Sequence, residues 1–377
     1  GLMYINNDVN EFDTPRDSYF DLMYSYNNPG EIDQINSVIE TSDNNFLINT
    51  TIGSFSSTSY DPKLIKLDAS NLSVLWELNL CLVDEYIDCG TNKNYSKSLK
   101  ELDNSNFILT GYTLENNSPD NLWIMKTDNN GMLLSSFHRK AEAFVDQPPP
   151  NGIYDENEIF TDLNGDGVWN GYFEDTRSYD IIQDGDDFIV IGSIEINNEK
   201  DIFISKYNNS LNLLLWEEIW SNPGNDEAYS IVKDIDGYII TGYKTNDISG
   251  DKDIVILKIQ GNGENLYEID FPLNGLQDEV ANKIISTSDN SFVLIGYTTS
   301  YGNGNKDIFV VKFRESLIEW NQTYGCLFDD IGYDIKETFE GNNGGYIIGG
   351  KIYNTDSDAI LIKTNHQGET NQIICDD

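Results

Sequence analysis

The chain has 377 residues, 64 of them acidic and 23 basic, for a formal net charge of −41. Self-repulsion on that scale makes nucleic acid and anionic membrane surfaces poor partners and calls for screening by salt or bound cations, which points to an extracellular or cell-surface setting. No run of 18 apolar residues occurs, so no membrane insertion is expected, and Gly1-Leu2-Met3 is not a basic and apolar leader, so an export signal is expected to have been removed.

Residues 1–17 are polar, show no element and are expected as an N-terminal extension. Residues 18–26, SYFDLMYSY, read as the fourth strand of a repeat, because NNPGEID after them matches SNPGNDE after Trp220. A chain that opens on a fourth strand can lend it to the last repeat and close a ring, leaving no open edge. Glu369 to Cys375 competes for the same place.

A cassette then recurs. Its second strand opens on an aromatic, at Phe46, Phe107, Phe188, Tyr238, Phe292 and Tyr346, and five of the six place glycine four residues later: Gly111, Gly192, Gly242, Gly296 and Gly350, with Thr50 the exception. The third strand repeats as D-x-x-x-x-K at Asp61/Lys66, Asp201/Lys206, Asp253/Lys258, Asp307/Lys312 and Asp358/Lys363, with Asn121/Lys126 a near match. These Asp and Lys residues read as turn-fixing and strand-edge residues. The last three steps between aromatics are 50, 54 and 54 residues. Short runs of β-branched and aromatic residues bounded by Gly, Asn, Asp and Ser are strands, and four per unit at a period near 50 is the signature of a propeller blade. The expected fold is all-β, a β-propeller of six four-stranded blades with seven as the alternative, forming one domain over residues 18–377.

Two links depart from the repeat. The first, after Leu80, holds Cys81 and Cys89, with Cys326 and Cys375 far away in the chain. Four cysteines in an acidic extracellular chain suggest two disulfides, Cys81/Cys89 and Cys326/Cys375 being the favoured of three connectivities. Zinc competes, but tight C-x-x-C pairs are missing and the only histidines are His138 and His366.

The second link, an inserted loop over 138–176, passes from His138-Arg139-Lys140 through Pro148-Pro149-Pro150 into an internally duplicated acidic segment. Asp162, Asn164, Asp166 and Gly167 fit positions 1, 3, 5 and 6 of a D-x-[DN]-x-[DN]-G calcium loop. Oxygen donors two residues apart wrap one hard cation, and the glycine permits the sharp turn. Position 12, where an EF-hand places glutamate, is Phe173, with Glu174 just after it; the first copy offers Asp155 and Glu158. The expected Ca2+ ligands are Asp162, Asn164, Asp166, the Val168 carbonyl and acids from Asp155, Glu158 or Glu174, against the alternative of a solvated acidic turn. Such a loop would form one wall of a binding face shared with the acids before each first strand: Asp33, Asp226, Glu227, Asp278, Glu279, Asp329 and Asp330.

The repeat S-x-I-x-T-x-D-x-G-Y-I-I-x-G-Y-T with D-I-x-x-x-K and W-x-x-x-Y-G resembles secreted bacterial β-propeller repeat proteins. Ser230-Ile231, Asp236 to Ile240 and Gly242-Tyr243 carry it, with Trp320 and Tyr324-Gly325, and the NGxYD and DLNGDGVW segments are similar to calcium-binding insertions in such proteins. The resemblance implies the fold over about residues 18–370 and says little about activity.

For function, most acids recur at equivalent repeat positions, which is how scaffolding behaves, and two histidines outside the repeat supply no Ser-His-Asp or Cys-His arrangement. The expectation is therefore a non-enzymatic, calcium-stabilised surface module, serving recognition or adhesion or as a filament or layer subunit. Its partner would be a carbohydrate or protein ligand at the face of the links, or a second copy. The alternative is a propeller-type carbohydrate-active enzyme, hydrolase or lyase.

Overall fold

A computed structural model describes residues 31–54, 60–80, 93–114, 121–139, 144–145, 159–160, 175–273, 275–339, 344–353 and 357–371. They are strands and turns, grouped in two compact units: one runs to Gln183 and takes in Asn208–Leu213, and the other holds Asp184–Tyr207 and the chain from Leu214 onward.

In the first unit, β1 (Glu31–Glu40), β2 (Phe46–Ser54), β3 (Tyr60–Leu67) and β4 (Val74–Asn79) form an antiparallel meander. A second meander joins β5 (Lys93–Glu101), β6 (Phe107–Leu114), β7 (Asn121–Thr127) and β8 (Leu133–His138). One parallel pair, Tyr60 with Lys93, links the two at the start of β3 and β5. Within the inserted loop, β9 (Phe144–Val145) pairs antiparallel with β10 (Ile159–Phe160), a hairpin the sequence reading did not anticipate. β11 (Thr176–Asp184) brings the chain to the end of the unit.

The second unit continues with β12 (Asp187–Ile196), β13 (Glu199–Tyr207) and β14 (Leu214–Trp220), antiparallel in that order. Next come β15 (Glu227–Lys233), β16 (Gly237–Thr245), β17 (Lys252–Gln260) and β18 (Tyr267–Glu268). The following meander is β19 (Glu279–Ser286), β20 (Phe292–Thr298), β21 (Asp307–Arg314) and β22 (Leu317–Tyr324). The last described sheet has three strands, β23 (Ile331–Thr338), β24 (Gly345–Tyr353) and β25 (Ser357–Thr364). Of the two candidates for closing strands, residues 18–26 lie outside the described residues, as does the Glu369–Cys375 segment from 372 onward; 369–371 are not in a strand.

The cassette signals correspond to these strands. Each of the six aromatics is the first or second residue of its strand, in β2, β6, β12, β16, β20 and β24. Second and third strands such as β6, β7, β20 and β21 are buried on nearly every residue, whereas β14 and β22 alternate with exposed positions. Strands covered on both faces read as continuous apolar runs; an outer strand with one wet face reads as an alternation.

Glycine four residues after the aromatic answers to a close approach. A Cβ on Gly242 would lie 1.9 Å from the Glu227 carbonyl oxygen, and one on Gly296 would lie 1.8 Å from that of Val280. At both places the first strand bulges, between Ala228 and Ser230 and between Ala281 and Lys283. The third-strand lysines reach back to the turn between the first two strands: Lys66 to Asp43 at 2.7 Å, Lys206 to Asp184 at 2.6 Å and Lys258 to Asp234 at 2.7 Å. Fourth-strand tryptophans pack beneath the glycine turn of the next sheet, Trp76 under Gly131, Trp216 under Gly263 and Trp320 under Gly368.

Candidate functional site

The chemistry concentrates where first strands begin, and cross-strand register decides which residues correspond. Ala228 faces Gly242, Ala281 faces Gly296 and Gly332 faces Gly350. Asp226, Glu279 and Asp330 are therefore counterparts. So are Asn225, Asp278 and Asp329, and likewise Glu227, Val280 and Ile331.

Asp226, Glu279 and Asp330 are fully buried anchors. Asp226 accepts the Asn222 and Thr245 amides at 3.1 and 2.9 Å. Glu279 accepts the Gly275 amide at 2.6 Å and the Thr298 hydroxyl at 2.7 Å, and Asp330 accepts the amides of Cys326 and Tyr353 at 2.5 and 3.0 Å. Burial pushes the Asp226 carboxyl up to about 7 and raises that of Asp330, against the opposing pull of these amides. The expectation that all the acids before the first strands line an open face is thus corrected. These three tie strand ends together, while Asp278 and Asp329 stay half-buried at the edge; the Asp33 side chain lies outside the described residues.

Around them sits a mixed cluster. Glu227 receives Nζ of Lys200 at 2.7 Å and the hydroxyl of Tyr243 at 3.1 Å. Nζ of Lys252 lies 3.9 Å from the centre of the Tyr243 ring, and Nζ of Lys306 lies 4.2 Å from that of Tyr297. Tyr243, Tyr297 and Val280 pack together with Tyr229 and Ile331 at their margin. Burial, with Glu227 close by, holds the Tyr243 hydroxyl well above its ordinary value, and burial pushes Tyr297 up to about 12. Arranged on one edge are a hydrogen-bonded tyrosine–carboxylate pair, two rings capped by ammonium groups, and two half-buried aspartates.

The first unit carries a related aromatic row. Tyr60 and Tyr95 stack at 5.5 Å between centroids, Tyr95 and Tyr112 at 5.1 Å, and Tyr112 meets Tyr179 edge-on at 6.1 Å. Lys97 sits over Tyr112 at 5.5 Å and Arg177 over the same ring at 5.4 Å.

Reading the sequence alone missed the lysines. The signal was present as a Lys-Asp pair opening three successive third strands, Lys200-Asp201, Lys252-Asp253 and Lys306-Asp307. The predicted calcium ligands Asp155, Glu158, Asp162, Asn164, Asp166, Val168 and Glu174 lie outside the described residues, as do Cys81, Cys89 and Cys375. Among the described residues no cluster of metal-ligating side chains is found.

Sheets of this kind, repeated along the chain with buried middle strands, define an all-β protein of the β-propeller class. The chain resembles the hemagglutinin-neuraminidase ectodomain of parainfluenza virus 5, at TM-score 0.50 and 8% identity over 91% of this chain and 81% of that one. It also resembles the Hadza microbial sialidase Hz136, at TM-score 0.48 and 9% identity over 85% of this chain, spanning 63% of the sialidase. An α-L-arabinofuranosidase from Fusarium graminearum aligns at TM-score 0.45 and 11% identity, over 90% and 94% of the two chains. No family model and no curated protein matches. At such identities the likeness establishes the fold. The expectation of a non-enzymatic recognition, adhesion or filament module is not kept: the neighbour at TM-score 0.50 is by name a hemagglutinin-neuraminidase, which accords with the alternative reading.

Proposed function

We propose that this protein is a propeller-type carbohydrate-active enzyme that hydrolyses glycosidic bonds, with Tyr243 and Glu227 at its centre. The observation that carries the reading is the 3.1 Å hydrogen bond from the Tyr243 hydroxyl to Glu227, beside half-buried carboxylates and aromatic rings. Tyrosine serves as a nucleophile in some glycosidases, sialidases among them, when a base removes its proton. Here Glu227 takes the hydroxyl proton as the phenolic oxygen bonds to the anomeric carbon and the glycosidic bond breaks, the leaving oxygen taking a proton from water; a water then bonds to the anomeric carbon, releasing the sugar, and the proton held on Glu227 returns to the Tyr243 oxygen. Asp278 and Asp329 accept hydrogen bonds from sugar hydroxyls.

A panel of chromogenic glycosides tests this. Wild type hydrolyses at least one, while Tyr243→Phe, which keeps the ring, and Glu227→Gln lose about 100-fold or more in kcat with unfolding curves unchanged. An inert wild type, or a fully active Tyr243→Phe variant, overturns the reading.

The same proposal includes secretion, the six-blade count and a Ca2+ held within 151–174 by Asp162, Asn164 and Asp166. It also includes bridges Cys81/Cys89 and Cys326/Cys375. Support for the second bridge is that Cys326 is not a free thiol. Recovery of four alkylatable thiols from native protein would remove both bridges.

A further inference from the structure

Lys200, Lys252 and Lys306 hold one position in three successive sheets, each immediately before the third-strand aspartate. At the start of the next first strand, the register counterparts are Glu227, Val280 and Ile331 in turn. Lys200 finds a carboxylate there at 2.7 Å, whereas the corresponding positions beside Lys252 and Lys306 are aliphatic, and Asp278 accepts the Lys252 backbone amide at 3.0 Å. Glu279, one residue before Val280, is held by the Gly275 amide and the Thr298 hydroxyl.

Among the described residues, neither the Lys252 nor the Lys306 ammonium has a carboxylate oxygen within 4.0 Å, and each rests on the tyrosine of its own sheet. This stands out in a chain of net charge −41, where Lys66, Lys206, Lys258 and Lys312 all reach a carboxylate. An ammonium has three donors, and a ring face engages charge without accepting a directed hydrogen bond of normal strength. Burial lowers the Lys252 ammonium below its ordinary value, the Glu227 and Asp278 carboxylates oppose that shift, and Lys306 and Lys200 add to it. Half-buried ammonium groups without a carboxylate in direct contact keep hydrogen-bond donors to offer an arriving negative group.

We propose that Lys252 and Lys306 form an anion subsite for the carboxylate or sulfate substituent of an acidic saccharide, with Lys200 completing the row and Asp278 and Asp329 receiving neighbouring hydroxyls. The inference rests on the glycosidase reading and gives it a substrate class. Val280 and Ile331, where Lys200 has its glutamate, leave this position open for the ligand's own negative charge.

Isothermal titration calorimetry tests it with three probes: an oligogalacturonate, a chondroitin sulfate oligosaccharide and a neutral malto-oligosaccharide. At least one acidic probe binds wild type tenfold or more tightly than the neutral one, and raising salt from 50 to 300 mM weakens it. The arm that binds separates carboxylate from sulfate. Lys252→Gln and Lys306→Gln each lose about tenfold, while Lys233→Gln, which removes an equal charge near Asp184, binds as wild type does. Binding of no probe, equal binding of acidic and neutral probes, or undiminished binding by both lysine variants overturns the subsite. An acidic probe bound through these lysines but never cleaved, as intact or reduced-end-labelled oligosaccharide, leaves the subsite standing and removes the hydrolase reading. Cleavage that Lys252→Gln and Lys306→Gln leave unaltered does the reverse.

Discussion

Nζ of Lys312 lies 2.5 Å from Oδ2 of Asp289, fastening the third strand of its sheet to the turn between the first two. Asp289 also accepts the Thr287 hydroxyl at 2.6 Å, and Asn290 beside it adopts the left-handed backbone that closes the turn. The lysine is buried and the aspartate half exposed. Lys312→Met should then cost about 2 kcal/mol, between the values of a surface pair and a buried one. A double-mutant cycle with Asp289→Ala in urea checks it; additive losses would show that the pair is not coupled.

Gly296→Ala brings a methyl group to 1.8 Å from the Val280 carbonyl oxygen, where both partners are backbone and cannot swing aside. The expected loss is about 3 kcal/mol or more, at the severe end for a single methyl group. Gly349→Ala, where the same methyl meets nothing within 4 Å, should fall within about 1 kcal/mol of wild type. Denaturant midpoints at constant slope compare the two.

Two aspartates should give opposite slopes with pH. The Asp43 carboxyl is held down to about 2, first by its hydrogen bond to Lys66, so its contribution is present above about pH 4 and is lost as pH falls towards 2. Asp226 is raised to about 7. Between about pH 4 and 7 the unfolded chain releases that proton and the folded chain keeps it, so stability falls as pH rises and levels off above 7. Asp43→Asn should shrink the acid-side loss and Asp226→Asn the fall between 4 and 7, read from unfolding free energies across pH 2–8.

If the acidic segment holds Ca2+, chelation raises proteolytic cleavage within 146–176 while the strands stay folded, and Asp162→Ala with Asp166→Ala behaves the same way. Mass spectrometry of the limited digest locates the cuts. Identical cleavage with calcium and with chelator would leave an ordinary acidic loop.

Strands were legible because their demands repeat. Phe292, Gly296 and Lys312 each answer a local requirement, a core ring, a close backbone approach and a turn, which recurs in other sheets and so shows as a period. The acids were harder to place. Asp226 and Glu279 differ in length, and matching the Asp-Glu pairs Asp226-Glu227 and Asp278-Glu279 puts them one step out of register, so only the pairing of Ala228 and Ala281 with their glycines reveals them as counterparts. The lysine row was invisible for a related reason. What matters at Lys252 and Lys306 is the counterpart position in the next sheet, and sequence spacing does not say that Val280 and Ile331 have replaced a glutamate.

The outermost strand of each sheet has one duty that varies less than its length. β22 is eight residues long and β18 two, yet both repeats deliver a ring to the following sheet: Trp320 to Tyr346 at 5.7 Å, and Phe271, just past β18, to Phe313 at 6.3 Å. Hand-over between sheets falls to the starts of the third and first strands, as in the amide of Asp330 on the Lys306 carbonyl at 2.7 Å. The rim is accordingly where this scaffold can be lengthened, trimmed or spliced with foreign peptide, provided the single aromatic dowel is kept in place.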